Sequence, residues 1–294
     1  MSSQNNRVFS MIKATRPKQW TKNGALFVAL VFSRHLLDPR IVGLSLGGFV
    51  VFCLLCSSIY LLNDIVDLDK DRKHPLKCKR PLAAGEITVP QSWFTAGLLL
   101  LLALGGGFSL APAFGWVVVG YFLLQVAYCY VLKNVVIIDT FSIAASFFLR
   151  VMGGAIVINV EVSSWLLVCT FFISLFIALS KRRHELVLLD DEAKEHRKVL
   201  KKYDVLLLDQ MISVVTAATV VVYAVYTLSD ETVQRFGSDN LKYTIPFVLY
   251  GIYRYLYLVY KKKKGGSPET ILLTDGATII NLILYAITVA IVIY

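Results

Sequence analysis

The chain is divided into apolar blocks, and each block is close to the length that crosses a lipid bilayer. A membrane-spanning helix needs about 20 apolar residues, and 56% of the 294 residues are hydrophobic. Backbone groups in lipid need internal partners, and the blocks are too long for barrel strands. The pattern therefore predicts an all-α, polytopic membrane protein with a single domain over residues 1–294. Nine transmembrane helices are expected at 17–37, 41–62, 91–110, 113–132, 136–157, 164–181, 208–229, 243–260 and 275–294.

Basic residues are distributed unequally between the loops. If the N-terminus is cytoplasmic, 24 of the 30 Lys and Arg residues lie on the cytoplasmic side and only four lie in the opposite loops. Positive charge is retained on the cytoplasmic side of a membrane. With nine spans, the C-terminus is then expected outside, in the plasma membrane. The net charge of +10 indicates topology and anionic partners rather than nucleic acid, since no nucleic-acid-binding signature accompanies it.

The second predicted span ends in a run of amide and carboxylate side chains. Asn63, Asp67 and Asp71 are spaced by four residues, so a continuing helix would place them on one face, with Asp64 nearby. Such oxygen ligands suit Mg²⁺, which takes one or two carboxylates together with water and substrate phosphates. A charged helix end is the simpler alternative, but four oxygen side chains on one face are costly where a helix leaves the bilayer. The run predicts an Mg²⁺ site of all four residues that holds a diphosphate on the cytoplasmic side, with Asn63, Asp67 and Asp71 catalytic.

Cationic and polar side chains are expected on the same side of the membrane. Cations after the carboxylates suit the outer oxygens of a polyanion. An arginine inside a span faces a polar cavity or a partner, so Arg150 and Arg254 are expected to line an anion pocket, with a structural salt bridge as the alternative. The predicted substrate-binding residues are Lys18, Gln19, Lys22, Asn23, Arg72, His74, Lys77, Arg80, Tyr128, Lys133, Arg150, Lys181, Arg182, Glu185 and Arg254.

Several motifs, in this order, resemble the UbiA superfamily of intramembrane prenyltransferases over nearly the whole chain. The most specific is Y-L-x-N-D-x-x-D-x-x-x-D-R-x-H-P-x-K-x-x-R-P at 60–81. Shorter motifs support it by their order: R-P-x-Q-W-x-K-N at 16–23, A-A-G at 83–85, Q-x-A-Y-C at 125–129, L-R-x-x-G-G at 149–154 and K-R-x-x-E-L at 181–186.

The resemblance is strongest to members of the superfamily that transfer phosphoribose. It implies a helical bundle whose donor is 5-phosphoribosyl 1-diphosphate and whose acceptor is a long, decaprenyl-type polyprenyl phosphate. The product would be a precursor of lipid-linked arabinose for the cell envelope. Homo-oligomers such as trimers also occur in the family.

One segment departs from the pattern of the aromatic prenyltransferases of the superfamily. Those enzymes carry a second acidic motif near the end of the sixth helix, whereas 181–185 here is mostly cationic. Cations suit a second phosphate, which favours phosphoribosyl transfer. Whether Glu185 binds metal or pairs with Lys181 stays open, as does a metal role for Asp190 and Asp191.

Two alternative functions remain. A prenyltransferase would move a polyprenyl chain from its diphosphate to an aromatic or other acceptor, and the same carboxylates would hold that diphosphate. A transporter for a phosphorylated metabolite ranks lower, because transporter sites lie near the bilayer midplane between repeats. The carboxylates here lie at a membrane edge, and the sequence shows no internal repeat.

Overall fold

The regular elements of the described chain are all helical. The structure, a computed structural model, describes residues 2–161, 163–196, 198–262, 271 and 274–294. Its α-helices are α1 (Ser2–Ala14), α2 (Phe27–Phe32), α3 (Pro39–Val66), α4 (Leu68–Lys73), α5 (Val89–Leu110), α6 (Pro112–Tyr130), α7 (Ile138–Val157), α8 (Ser164–His196), α9 (Val205–Leu228), α10 (Asp230–Phe236), α11 (Ile245–Tyr260) and α12 (Gly276–Ile293). Short 3₁₀ helices lie at Pro17–Leu26, Lys77–Lys79, Leu132–Asn134, Lys198–Lys202 and Asn240–Thr244.

Seven of the helices in the described chain are long and apolar enough to cross a membrane: α3, α5, α6, α7, α8 up to Val187, α9 and α12. Two of the nine predicted spans are shorter than expected. The first is a 3₁₀ helix at Pro17–Leu26 followed by the six-residue α2, and the eighth is the 16-residue α11. An all-helical membrane architecture is therefore confirmed, with seven long spans rather than nine uniform ones.

Helix starts are encoded by local side chains. Asp38 accepts hydrogen bonds from the first backbone N–H groups of α3, and Pro39 occupies the first helical position. Thr88 and Gln91 form a reciprocal capping box at the start of α5. Asp204 caps α9 by accepting a hydrogen bond from the backbone N–H of Leu207 at 2.7 Å. These caps satisfy N–H groups that the helix itself leaves without partners.

One compact unit comprises Met1–Cys129 and Leu149–Glu161. Its interior packs α3 against α5 and α6, with the Phe52 ring 5.9 Å from that of Phe114 and 5.2 Å from that of Tyr121. At Gly154 the second half of α7 approaches the end of the 3₁₀ helix so closely that an added Cβ would lie 2.1 Å from the Leu26 carbonyl oxygen. This unit carries the Asn/Asp run.

The second compact unit comprises Tyr130–Phe148 and Val162–Tyr294. Its core is built mainly from α8, α9 and α11, where Leu179, Leu208 and Ile212 are almost fully buried. Helix α8 continues well beyond the predicted end at residue 181. The basic segment after residue 180 is therefore part of a continuous helix and not of a loop.

Candidate functional site

The Asn/Asp run lies where α3 ends. Helix α3 stops at Val66, Asp67 has non-helical backbone angles, and α4 begins at Leu68. The backbone N–H of Asp67 still donates to the Asn63 carbonyl at 3.0 Å, and that of Asp71 to the Asp67 carbonyl at 2.8 Å. The expected continuing helix is thus interrupted at one residue, and the helical hydrogen-bonding pattern carries across the break.

Asp64 and Asp71 are the two members of the run that the structure brings together. Both side chains are 3% exposed. Nη1 of Arg80 lies 3.1 Å from Asp64 Oδ1 and also donates to Asp71 Oδ2. Asp67 is half-buried, with Lys70 Nζ 3.7 Å from its carboxylate. The sequence spacing gave Asp64 only an accessory place, whereas the structure makes it an equal partner of Asp71.

Arg16 is a fourth charged group of this cluster, and it was not among the site residues predicted from the sequence. Its guanidinium donates to Asp64 and lies 4.9 Å above the ring of Tyr60. Its backbone is left-handed, with φ 55°, directly before Pro17. Burial lowers the pKa of Arg16, and the Asp64 carboxylate acts in the opposite direction. The signal that could have identified it is its position at the head of the R-P-x-Q-W-x-K-N motif.

The oxygen ligands of this cluster fit an Mg²⁺ ion whose coordination shell is completed by substrate phosphates. No three His, Cys, Asp or Glu side chains within the described residues are grouped so as to hold a metal by themselves. Asp64 and Asp71, however, converge on one shared cation, and Mg²⁺ commonly uses only one or two carboxylates. These two residues would hold the ion, with Asn63 and Asp67 adjacent.

Asn23 and Arg150 lie together in a buried polar network of the first unit. Nε of Arg150 donates to Asn23 Oδ1 at 2.9 Å, and the guanidinium lies 4.8 Å above the ring of Tyr121. Asn23 Nδ2 donates to Cys53 Sγ at 3.3 Å. Cys53 and Cys56, spaced as a C-x-x-C within α3, are both buried and form no disulfide. Arg150 therefore lies among neutral polar groups and an aromatic face, a setting compatible with the predicted anion pocket.

Arg182 belongs to a buried ion network in the second unit. Its Nε donates to Asp139 Oδ2 at 2.7 Å, and its Nη1 donates to Glu185 Oε2 at 2.7 Å. Tyr203 donates to Asp139 Oδ1 at 2.8 Å and accepts from the backbone N–H of Ile137 at 2.7 Å. Two carboxylates compensate the charge of Arg182 in this structure, and its phosphate-binding role stays a prediction. Glu185 pairs with Arg182, one residue from the expected partner Lys181.

Asp139 and Tyr203 were not assigned to the site from sequence. An acidic residue one turn into a predicted span was the available signal for Asp139, since a buried carboxylate needs a cationic or hydrogen-bonding partner. Tyr203 carried no such signal, because it follows a basic segment that reads as an ordinary loop.

Arg254 adopts the alternative role considered for it, a structural salt bridge. Its guanidinium forms a two-pronged pair with Asp275, with Nε–Oδ2 at 3.0 Å and Nη2–Oδ1 at 2.7 Å. Asp275 also accepts from the backbone N–H of Thr278 and so caps α12. Arg254 therefore anchors the start of α12 through Asp275, and its role in an anion pocket stays a prediction.

The remaining predicted residues lie in varied settings. His74 Nδ1 accepts the backbone N–H groups of Leu76 and Lys77, at 3.1 and 3.3 Å, and so organises the turn after α4. Lys77 Nζ lies 4.0 Å from Asp71. Arg72 is exposed and 4.0 Å from the solvated Asp69. Lys18 is exposed, whereas Gln19, Lys22, Tyr128, Lys133 and Lys181 are partly buried. Asp190 and Asp191 lie outside the described side chains.

The chain is similar to known enzymes over most of its length. The chain is 34% identical to the decaprenyl-phosphate phosphoribosyltransferase of Corynebacterium glutamicum, over 92% of this chain and 82% of that protein. It is 32% identical to the enzyme of the same name from Mycolicibacterium smegmatis, over 98% and 94%.

Solved structures show the same fold. A UbiA homologue from Archaeoglobus fulgidus bound to GPP and Mg²⁺ superposes with a TM-score of 0.72 at 19% identity, over 97% of this chain and 99% of that one. The sequence model of the UbiA prenyltransferase family matches residues 24–279. The protein is a membrane transferase, and it belongs to the UbiA prenyltransferase family.

Proposed function

We propose that the protein transfers 5-phosphoribose from 5-phosphoribosyl 1-diphosphate to a polyprenyl phosphate, with Mg²⁺ at the Asp64–Asp71 cluster. The observation that carries this proposal is the match, over most of both chains, to enzymes named decaprenyl-phosphate phosphoribosyltransferase. The clustering of two buried carboxylates with Arg16, Arg80 and Lys77 supports it, because a metal-bound diphosphate needs both carboxylates and cations.

Different residues of the first unit bind the metal ion and the phosphate oxygens of the donor. Asp64 and Asp71, with Asn63 and Asp67 adjacent, would hold an Mg²⁺ ion, which would supply positive charge to neutralise the departing diphosphate. Arg80 and Lys77 contact the outer phosphate oxygens, with further cations supplied by Lys18, Lys22 and Arg72.

The acceptor needs no dedicated base. A phosphate monoester is largely dianionic near neutral pH because its second pKa is about 6. An oxygen of the lipid phosphate forms a bond to the anomeric carbon, while the bond from that carbon to the diphosphate oxygen breaks and the diphosphate leaves with the electron pair. The chain contributes mainly position and electrostatic stabilisation.

The proposed arrangement in the membrane follows the charge distribution. The N-terminus and the 63–90 segment face the cytoplasm, the chain crosses nine times, and the C-terminus lies outside. A soluble phosphorylated donor then reaches the carboxylates directly from the cytoplasm. The preponderance of Lys and Arg in these segments supports the orientation.

A direct turnover assay tests the reaction. Purified protein in detergent receives 5-phosphoribosyl 1-diphosphate, a polyprenyl phosphate and Mg²⁺, with EDTA in a parallel sample, and mass spectrometry reads the lipid products. We expect a metal-dependent phosphoribosyl lipid. Product formed only from a polyprenyl diphosphate and an aromatic acceptor would reject the proposal in favour of prenyl transfer. Flux across sealed proteoliposomes without product would favour a transporter.

A further inference from the structure

One guanidinium nitrogen serves both buried carboxylates of the cluster. Nη1 of Arg80 hydrogen-bonds Asp64 Oδ1 at 3.1 Å and also Asp71 Oδ2. The two carboxylates are 3% exposed, so each needs a compensating cation. Asp64 has a second one in Arg16. Asp71 has Lys77, but that amine is 4.0 Å away.

Nη1 of Arg80 lies where a metal ion bound by both carboxylates would lie. Arg80 and the metal therefore compete for the same carboxylates. An Mg²⁺ ion held by both carboxylates would lie about 2.0–2.1 Å from an oxygen of each. A nitrogen already bonded to both carboxylates cannot stay there alongside it, because the two cations would be in contact and would repel each other. Metal binding between Asp64 and Asp71 therefore requires the guanidinium to move.

Arg80 has both the freedom and the chemistry to move. Its side chain is 27% exposed, although the carboxylates it contacts are buried. Its backbone is fixed on both sides, since its N–H donates to the Lys77 carbonyl at 2.9 Å and its carbonyl accepts from Ala84 at 2.8 Å. A rotation of the side chain alone exchanges its partners. The planar guanidinium binds phosphate oxygens in pairs, so a diphosphate is a suitable second partner.

We propose that Arg80 exchanges partners during binding: it neutralises Asp64 and Asp71 until the metal arrives, and then moves onto the diphosphate that arrives with the metal. This rests on the proposed function and adds a coupling to it. When the metal binds alone, Arg80 loses its carboxylate partners and gains none. When the metal binds with diphosphate, the displaced Arg80 binds the diphosphate instead. Each ligand therefore strengthens binding of the other, and Arg80 carries the coupling.

Binding measurements on the full-length protein in detergent test the exchange without turnover. Mn²⁺ serves as the metal probe, read by electron paramagnetic resonance, with and without inorganic pyrophosphate. The decisive variant is Arg80→Gln, and the matched control is Lys77→Gln, which also removes one positive charge near Asp71 but does not bridge the carboxylates. Asp71→Asn tests whether the bound Mn²⁺ occupies this site, and this variant should show no bound Mn²⁺.

We expect Arg80→Gln to bind Mn²⁺ alone about tenfold more tightly than the unmodified protein, with a clearly smaller gain for Lys77→Gln. Pyrophosphate should tighten Mn²⁺ binding in the unmodified protein and lose most of that effect in Arg80→Gln. If Arg80→Gln and Lys77→Gln gain the same affinity for Mn²⁺, Arg80 acts only by charge repulsion of the metal, and the proposed exchange is wrong. Undiminished coupling in Arg80→Gln would overturn it as well.

Arg80→Lys extends the test if Arg80→Gln does not fold. The ammonium keeps the charge but cannot bind two phosphate oxygens in parallel, so the coupling between Mn²⁺ and pyrophosphate should fall. Unchanged coupling in Arg80→Lys contradicts the exchange. Failure of the proposed reaction is a separate result: coupled binding without phosphoribosyl lipid product rejects the reaction alone, and turnover without coupling rejects the exchange alone.

Discussion

Three neighbouring aspartates of the α3–α4 region differ in burial, and this difference assigns their roles. Asp64 and Asp71 are buried and share Arg80, whereas the Asp69 side chain is 95% exposed. A buried carboxylate is retained when it has a partner or a ligand to hold. The three residues are chemically identical, so the exposed Asp69 serves as a control for the two buried ones.

Asp71→Asn is expected to reduce kcat/KM by at least about a hundredfold, because it removes a charged metal ligand and with it several kcal/mol of electrostatic stabilisation. Asp64→Asn should behave similarly. Asp69→Asn should stay within about twofold of the unmodified enzyme, since surface changes away from such features have small effects. The measurement is the turnover assay at saturating Mg²⁺. Near-normal activity in Asp71→Asn would remove this cluster from the mechanism.

Tyr203 is a second residue whose role can be isolated. Its hydroxyl donates to Asp139 and accepts from Ile137, a β-branched residue held at φ 70°. Tyr203→Phe leaves both groups without that partner, so we expect a loss of about 1–3 kcal/mol in the free energy of unfolding. Thermal melts of the purified variant measure it. The exposed Tyr243→Phe is the control and should melt like the unmodified protein.

The titration of Tyr203 gives this stabilisation a pH dependence. Burial raises the pKa of Tyr203 to about 12. The fold favours the protonated phenol, so its contribution is complete below the ordinary tyrosine pKa of about 10 and decreases as the pH rises toward 12. The Tyr203→Phe variant should lack this component of the loss of stability on going from pH 9 to pH 11.

Among the secondary-structure elements, the first predicted span differs most from expectation. A transmembrane helix was predicted at 17–37, but the structure has a 3₁₀ helix at Pro17–Leu26 and only six residues of α-helix after it. Trp20 donates to Ser57 at 3.0 Å, and the Ser57 hydroxyl lies 2.7 Å from the Cys53 carbonyl and 3.3 Å from the Thr15 carbonyl. These tertiary bonds to α3 hold the polar segment in place, and no local sequence pattern encodes them.

The close approach of α7 to this 3₁₀ helix gives a prediction for an element. Gly154→Ala would place a Cβ 2.1 Å from the backbone carbonyl of Leu26, which cannot rotate away as a side chain can. We expect a loss of about 1–3 kcal/mol in stability from overpacking. Gly97→Ala in α5 has nothing within 4 Å of the added methyl and should be neutral or slightly stabilising. Thermal melts in one detergent compare them, and equal midpoints would contradict the close contact.

For the whole molecule, the proposed topology can be read with the natural cysteines. Cys53, Cys56, Cys129 and Cys169 are buried, whereas Cys78 is partly exposed in the segment that follows α4. A membrane-impermeant maleimide should therefore label Cys78 alone, and only after cells are opened, if this segment faces the cytoplasm as proposed. Cys78→Ser supplies the background. Labelling of intact cells would place the segment, and the carboxylates near it, on the opposite side.

The sequence predicted the all-helical membrane architecture because the apolar length of a membrane span is encoded locally. Apolar length identified the seven long spans, and the spacing of Asn63, Asp67 and Asp71 located the carboxylate cluster. Pairings between distant residues were beyond the same reasoning. Arg16 with Asp64, Arg182 with Asp139, and Arg254 with Asp275 each join positions at least 21 residues apart. A charged residue in an apolar segment indicates that a partner is needed, but the surrounding sequence does not identify that partner.

The length of α3 also has a consequence for how a lipid substrate is found. Its 28 residues extend about 42 Å at 1.5 Å per residue, against about 30 Å for the hydrocarbon core. The helix exceeds the core by about 12 Å, which is enough for its final turn, with Asn63 and Asp64, to extend to the lipid head groups, where a polyprenyl phosphate carries its own phosphate. The acceptor can then arrive by lateral diffusion without leaving its leaflet. The encounter rate would follow the number of acceptor molecules per unit area of membrane, so diluting the membrane with inert lipid would slow the enzyme even at constant bulk concentration.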